Sequence, residues 1–105
     1  MTARERLPNR RASTTLAFEC AGLHYVCTYS RYFDGRIGEL FISNHKSNSA
    51  ADTNARDAAI AFSFAVQHGA DPEVIRRALC RDSNGRANSP LGRALDLLAE
   101  AESRP

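Results

Sequence analysis

Between residues 15 and 43 apolar side chains recur at alternate positions. That is the period at which successive strand residues point to opposite faces of a sheet. Two dipeptides interrupt the alternation. Asp34-Gly35 is a strong two-residue hairpin signal, because both central positions of a type I′ turn need positive φ, and Ala21-Gly22 is a weaker turn of the same length. Closing both hairpins on these dipeptides predicts a three-stranded antiparallel meander in which Phe18 faces Tyr25, Leu16 faces Cys27, Tyr29 faces Leu40 and Cys27 faces Ile42. Leu16, Phe18, Cys20, Leu23, Tyr25, Cys27, Tyr29, Leu40 and Ile42 then share the core face. Thr15, Glu19, His24, Thr28, Ser30 and Glu39 share the outer one. A slip of one residue would exchange the two sets, so the register is well specified.

From residue 49 the apolar period lengthens to about 3.6. Ser49 is a good N-cap, and Asp52 three residues on resembles a shortened capping box. Ala51, Ala55, Ala58, Ala59, Phe62, Ala65 and Val66 form a small-residue stripe that lets a helix approach the sheet closely, and Gly69 ends that helix. Asp71-Pro72 and Ser89-Pro90 each start a further helix as N-cap and first helical residue. Between them Asp82-Ser83-Asn84-Gly85 reads as a turn. The expected fold class is α+β, a three-stranded antiparallel β-meander followed by about three helices packed on one face.

Composition agrees with one folded unit. The 105 residues are 43% apolar and 25% charged, near the globular average and long enough for one core. Residues 14–105 are expected to form a single α+β domain and residues 1–13 a basic, flexible tail. The net charge of +2 is uneven, because Arg4, Arg6, Arg10 and Arg11 face only Glu5 in that tail, which gives +3 there. Such a tail can neutralise phosphates, but a solvated terminus explains it as well, and nucleic acid is not an expected partner. No stretch approaches the roughly 18 apolar residues of a membrane span, and the arginine-rich N-terminal residues, with no apolar core, do not read as a secretory signal. The expected location is cytoplasmic. Cys20, Cys27 and Cys80 include no C-x-x-C pair, so neither a disulfide framework nor a metal site follows.

Catalytic templates fail in turn: the chain has no Walker-type loop, no G-x-G-x-x-G and no H-E-x-x-H. Cys80, beside Arg76, Arg77 and Arg81, is the one thiol placed for activation. Glu19 and His24 read as a cross-strand surface pair. No catalytic residue is assigned. Two binding surfaces remain. His45-Lys46-Ser47-Asn48-Ser49 runs into a helix N-terminus, where free N–H groups, the helix dipole and Lys46 would suit a phosphate-bearing ligand. On the outer sheet face Val26, Tyr32, Ile37 and Phe41 form an apolar patch, with Tyr32 opposite Ile37. It is either a docking surface for a protein or is covered by the N-terminal segment or a helix.

The same segments carry a family resemblance. Leu7-Pro8-Asn9-Arg10-Arg11, Tyr32-Phe33-Asp34-Gly35-Arg36, Gly38-Glu39-Leu40-Phe41-Ile42, Lys46-Ser47-Asn48-Ser49 and Ala65-Val66-Gln67-His68-Gly69-Ala70 occur in this order. They resemble the L-P-x-x-R, D-G-x-x-x-E-x-F-[IV], K-x-G-S and L-Q-x-G-[VC] run of the TSCPD domain, over roughly residues 7–98. That domain is found near the C-terminus of adenosylcobalamin-dependent class II ribonucleotide reductases and as short free-standing bacterial proteins. Two departures stand out. Asn48 replaces the family's glycine, though Asn tolerates positive φ. The T-S-C-P-D run and the family's downstream cysteine cluster are missing, so no metal site is carried over.

The resemblance implies an accessory or interaction module without catalytic residues of its own, binding a protein or a nucleotide. Its partner would be a reductase catalytic chain or a second copy of itself. Adenosylcobalamin would belong to that catalytic chain, and this chain is expected to bind no cofactor. The enzymatic alternative is a subunit of a split ribonucleoside-diphosphate reductase acting in trans. A third reading is weak nucleic-acid binding through the arginine tail.

Overall fold

A computed structural model describes residues 3–103. Three strands, β1 (Thr14–Cys20), β2 (Leu23–Arg31) and β3 (Ile37–Asn44), form one antiparallel sheet in the order β1-β2-β3. Three helices follow: α1 (Ala50–Gln67), α2 (Pro72–Ala78) and α3 (Pro90–Ser103). The fold is the α+β meander with helices that the periodicity predicts. The predicted pairs Phe18–Tyr25, Leu16–Cys27, Tyr29–Leu40 and Cys27–Ile42 all form. Tyr25, Cys27, Leu40 and Ile42 are buried beneath Ala55, Ala59, Phe62 and Val66 of α1 and Leu91, Ala94, Leu95 and Leu98 of α3. Leu23 is the exception on this face. It belongs to the last pair before a turn, where a strand end has fewer neighbours, and is 38% exposed.

The helix punctuation follows local chemistry. Ser49 Oγ accepts the Asp52 N–H at 3.1 Å, and Asp71 and Ser89 accept Glu73 and Gly92 N–H at 2.9 and 3.0 Å. At the end of α1, Gly69 has φ 100°. The N–H groups of Gly69 and Ala70 return to the carbonyls of Val66 and Ala65, the paired bonds of a Schellman ending.

The two hairpins reverse the expected order of regularity. Ala21-Gly22 makes the two-residue turn, with φ 53° and 79°, directly after the Cys20–Leu23 pair. Asp34-Gly35 does not. Tyr32 N–H bonds Arg36 C=O at 2.8 Å and Gly35 N–H bonds Tyr32 C=O at 2.9 Å, which makes Phe33-Asp34-Gly35 a three-residue loop. Only Gly35 of these has positive φ, as expected for a type I turn closed by a left-handed residue. The added loop residue is compensated two positions later. The register jumps from Ser30–Glu39 to Arg31–Ile37, leaving Gly38 as an unpaired bulge residue.

This corrects the predicted Tyr32–Ile37 pair. Between loop and bulge the side-chain phase is inverted, so Ile37 turns inward and joins the core. Tyr32 is buried as well, beneath the N-terminal segment. Its hydroxyl donates to Glu5 C=O, and the Arg36 guanidinium lies 4.6 Å from its ring centre. Residues 3–13, read as a tail, carry no regular element but several long-range contacts. Glu5 N–H reaches Gln67 C=O at 2.7 Å, and Arg11 clamps Glu39 through Nε and Nη2 at 2.6 and 2.9 Å. Ser30 and Glu39, assigned to the wet side, are buried on this account.

The open edge of β3 is closed by α1, which runs antiparallel beside it. Asp52 accepts Asn44 N–H at 2.8 Å, Ser63 accepts Leu40 N–H at 2.8 Å, and Gln67 donates to Gly38 C=O at 2.7 Å. The lengths match: fifteen helical steps from Asp52 to Gln67 span about 22 Å and six strand steps from Gly38 to Asn44 about 20 Å. Buried polar residues on a helix thus replace a fourth strand.

Candidate functional site

The loop from Asn44 to Asp52 is held by its own side chains. Asn48 sits at φ 62°, the left-handed region that its side chain tolerates. Its N–H, at 3.3 Å, and that of Asn44 both point at the Asp52 carboxylate, and Arg56 Nε adds a third contact at 2.9 Å. The Asn44 N–H foremost, then Arg56 and Asn48, outweigh burial and hold this carboxyl below the usual aspartate range. Asp52 therefore does not reach back to Ser49 as a capping box would have it. Read from the sequence as a capping-box residue, Asp52 is instead an internal anion on the Asn44 and Asn48 N–H groups, a role the sequence reading did not assign. Lys46, Ser47 and the His45 side chain lie on the exposed side of the loop. The His45 ring stands edge-on to His24 at 6.1 Å.

Of the four outer-face residues, Val26 and Phe41 are 41% and 50% exposed, whereas Tyr32 and Ile37 are buried. Phe41 lies opposite Thr28 and Val26 opposite Ser43, so the two are diagonal neighbours on one face. Ile60 and Phe64 of α1, the helix beside the β3 edge, are further exposed apolar side chains, at 44% and 47%. Arg4 lies 4.8 Å above the Phe64 ring. Ile60 and Phe64 fall outside the helix's core stripe. Their exposure follows from α1 lying beside the sheet edge, which periodicity cannot specify.

The remaining candidates are quieter. Cys20 and Cys27 are buried free thiols, and burial pushes Cys27 up in pKa. Cys80 is exposed, but all three arginines expected to activate it hold carboxylates, Arg77 through Nε on Glu73 at 3.2 Å. Arg76 bonds Glu73 and, at 3.0 Å, Asp96, and Arg81 bonds Asp96 at 2.7 and 2.9 Å. The Arg76 and Arg77 guanidiniums pull Glu73 down to about 2. Glu19 and His24 pair across β1 and β2, both exposed. Among the described residues, no three of the His, Cys, Asp and Glu side chains converge as a metal site would require, and no helix is long and apolar enough to cross a membrane.

No family model matches the chain, and no solved structure matches it. Curated relatives do. Residues of this chain are 39% identical over 66 positions to the vitamin B12-dependent ribonucleotide reductase of Agrobacterium fabrum, covering 63% of this chain and 5% of that protein. The reductase of the same name from Bradyrhizobium diazoefficiens is 36% identical over 69 positions, 66% of this chain and 6% of its own. That of Rhodopirellula baltica is 42% identical over 73 positions, 69% and 7%. The chain therefore spans only a small part of the length of the relatives it matches, and its similarity is to one portion of a reductase.

Proposed function

We propose that this chain is a reductase-associated, TSCPD-like domain that acts as a non-catalytic docking module for the catalytic chain of a vitamin B12-dependent ribonucleotide reductase. One observation carries the reading. About two-thirds of this chain matches those relatives, yet the match occupies 5–7% of their length, so in them the equivalent segment sits beside a far larger polypeptide. The exposed side chains of Val26 and Phe41, with Ile60 on α1, supply a surface of the right character, since exposed apolar side chains with an aromatic anchor are typical of interfaces. Cobalamin chemistry belongs to the catalytic chain in this reading, because Cys20 and Cys27 are packed into the core. The 45–49 loop is not needed for this reading, and its Asn48 N–H is already taken by Asp52.

The test is sedimentation of the purified chain with a reductase catalytic chain from the same organism. A defined complex that is lost on Phe41→Ser is expected. No association at concentrations of about 0.1 mM, which corresponds to less than about 5.5 kcal/mol of binding, overturns the proposal. If a catalytic chain lacking this region gains turnover on adding the protein, the docked module is a subunit of a split reductase.

A further inference from the structure

A second site lies away from the docking surface. The N-terminal segment, the end of β2 and the β2–β3 loop enclose a pocket of about 280 Å³, near the lower end of the roughly 300–1,000 Å³ of small-molecule sites. Its charged lining is wholly basic: Arg10, Arg11 and Arg31. Each of the four other main concavities is lined by at least one carboxylate, among them Asp34 and Glu73, Glu19, or Asp96. Such a lining favours anions most at Arg10, whose charge no carboxylate among the described residues cancels.

The three arginines are not equivalent. Arg11 is committed, with Nε and Nη2 on Glu39 and Nη1 on Pro8 C=O at 2.6 Å. Arg10 is exposed and makes no ion pair or hydrogen bond among the described residues. Arg31 makes its bonds to Gly35 C=O and Glu102 through Nη1, and its guanidinium lies 5.3 Å from the centre of the Tyr29 ring. At the rim stands Phe33, 101% exposed. It occupies the first central position of a type I turn, which most residues can fill, so the turn does not account for a bare phenyl ring there.

Two cations for an anionic group and an uncovered aromatic face for a flat one describe a ligand with both features. We propose that this pocket binds a phosphate ester of a planar heteroaromatic ring, that is a mononucleotide, with Arg10 and Arg31 on the phosphate and the base stacked on Phe33. The site uses none of the 45–49 loop and is independent of the docking reading.

The test is calorimetric titration of the full chain with ADP, ribose 5-phosphate, adenosine and a single-stranded oligonucleotide. ADP is expected to saturate the protein below about 1 mM and to bind at least about fivefold more tightly than either fragment. Arg10→Ala and Phe33→Ala should each weaken ADP at least about fivefold without changing Tm, since both side chains are exposed. Added salt should weaken it further. No saturable binding of ADP overturns the proposal. So does ribose 5-phosphate binding as tightly as ADP, or ADP binding unchanged in either variant. An oligonucleotide whose affinity rises with its length would make the site a strand-binding surface and overturn the mononucleotide reading.

Discussion

Ser63 of α1 grips Leu40 of β3 by both of its main-chain polar groups. Its Oγ accepts the Leu40 N–H at 2.8 Å, and its hydroxyl lies 2.9 Å from both Leu40 C=O and Ala59 C=O, to either of which it donates. Leu40 is fully buried, so no water can substitute for this side chain. Ser63→Ala should therefore destabilise the fold by about 1–3 kcal/mol, the cost of a buried backbone donor left without a partner. Thr53→Ala on the exposed face of the same helix should stay within about 0.5 kcal/mol. Urea unfolding of the two variants checks the difference.

Gly38 is the bulge residue on which the N-terminal segment rests. A Cβ there would stand 2.7 Å from Leu7 Cδ2 and 3.0 Å from both Leu7 Cγ and Tyr32 Cε2. Gly38→Ala should cost about 1–3 kcal/mol by overpacking. Because the nearest obstacle is a side chain, the penalty should shrink in a Leu7→Ala background. A double-mutant cycle measures that coupling, and strictly additive losses would show that Leu7 is not what the new methyl group meets.

The Asp52 carboxyl titrates below its unfolded value because the Asn44 N–H, burial notwithstanding, and Arg56 with Asn48 favour its charged form. A depressed folded pKa means that the contribution is fully present above the unfolded aspartate value of about 3.9. It is lost as pH falls through the lower folded value. Asp52→Asn should lower the urea midpoint at pH 7 and make its decline between about pH 4 and pH 2 shallower than in the parent. Parallel acid limbs would show that Asp52 does not titrate with folding.

Phe41 and Ile60 are half exposed. Phe41→Ser and Ile60→Ser should each leave stability within about 1 kcal/mol of the parent while abolishing association with the reductase catalytic chain. Variants that unfold the protein would place these side chains in its core instead.

Much of this architecture is legible residue by residue. The strand partners Phe18–Tyr25 and Cys27–Ile42 follow from alternation together with the placing of the two turns, and Ser49, Asp71 and Gly69 act as caps for reasons internal to one turn of chain. The hairpin at Asp34-Gly35 shows where this reasoning stops. Its sequence favours a two-residue turn, but a three-residue loop forms, with Gly38 absorbing the extra residue. The inversion between them turns Ile37 into the core and the N-terminal segment covers Tyr32, while Val26 and Phe41 stay exposed. Asp52 was legible as a helix-start residue but not as the partner of Asn44, eight positions back. Arg10, Arg31 and Phe33 were individually unremarkable until the fold brought them around one pocket.

By itself the sequence determined the element order, the helix starts and the two faces of the sheet away from the hairpin tip, because those depend on residues within a turn or a strand pair of one another. Only the tertiary structure decided which part of the outer face stays exposed. That choice rests on contacts such as Arg11 with Glu39 and Gln67 with Gly38, 28 and 29 positions apart. Such contacts form only once the sheet has placed an edge and a surface for the N-terminal segment and α1 to cover.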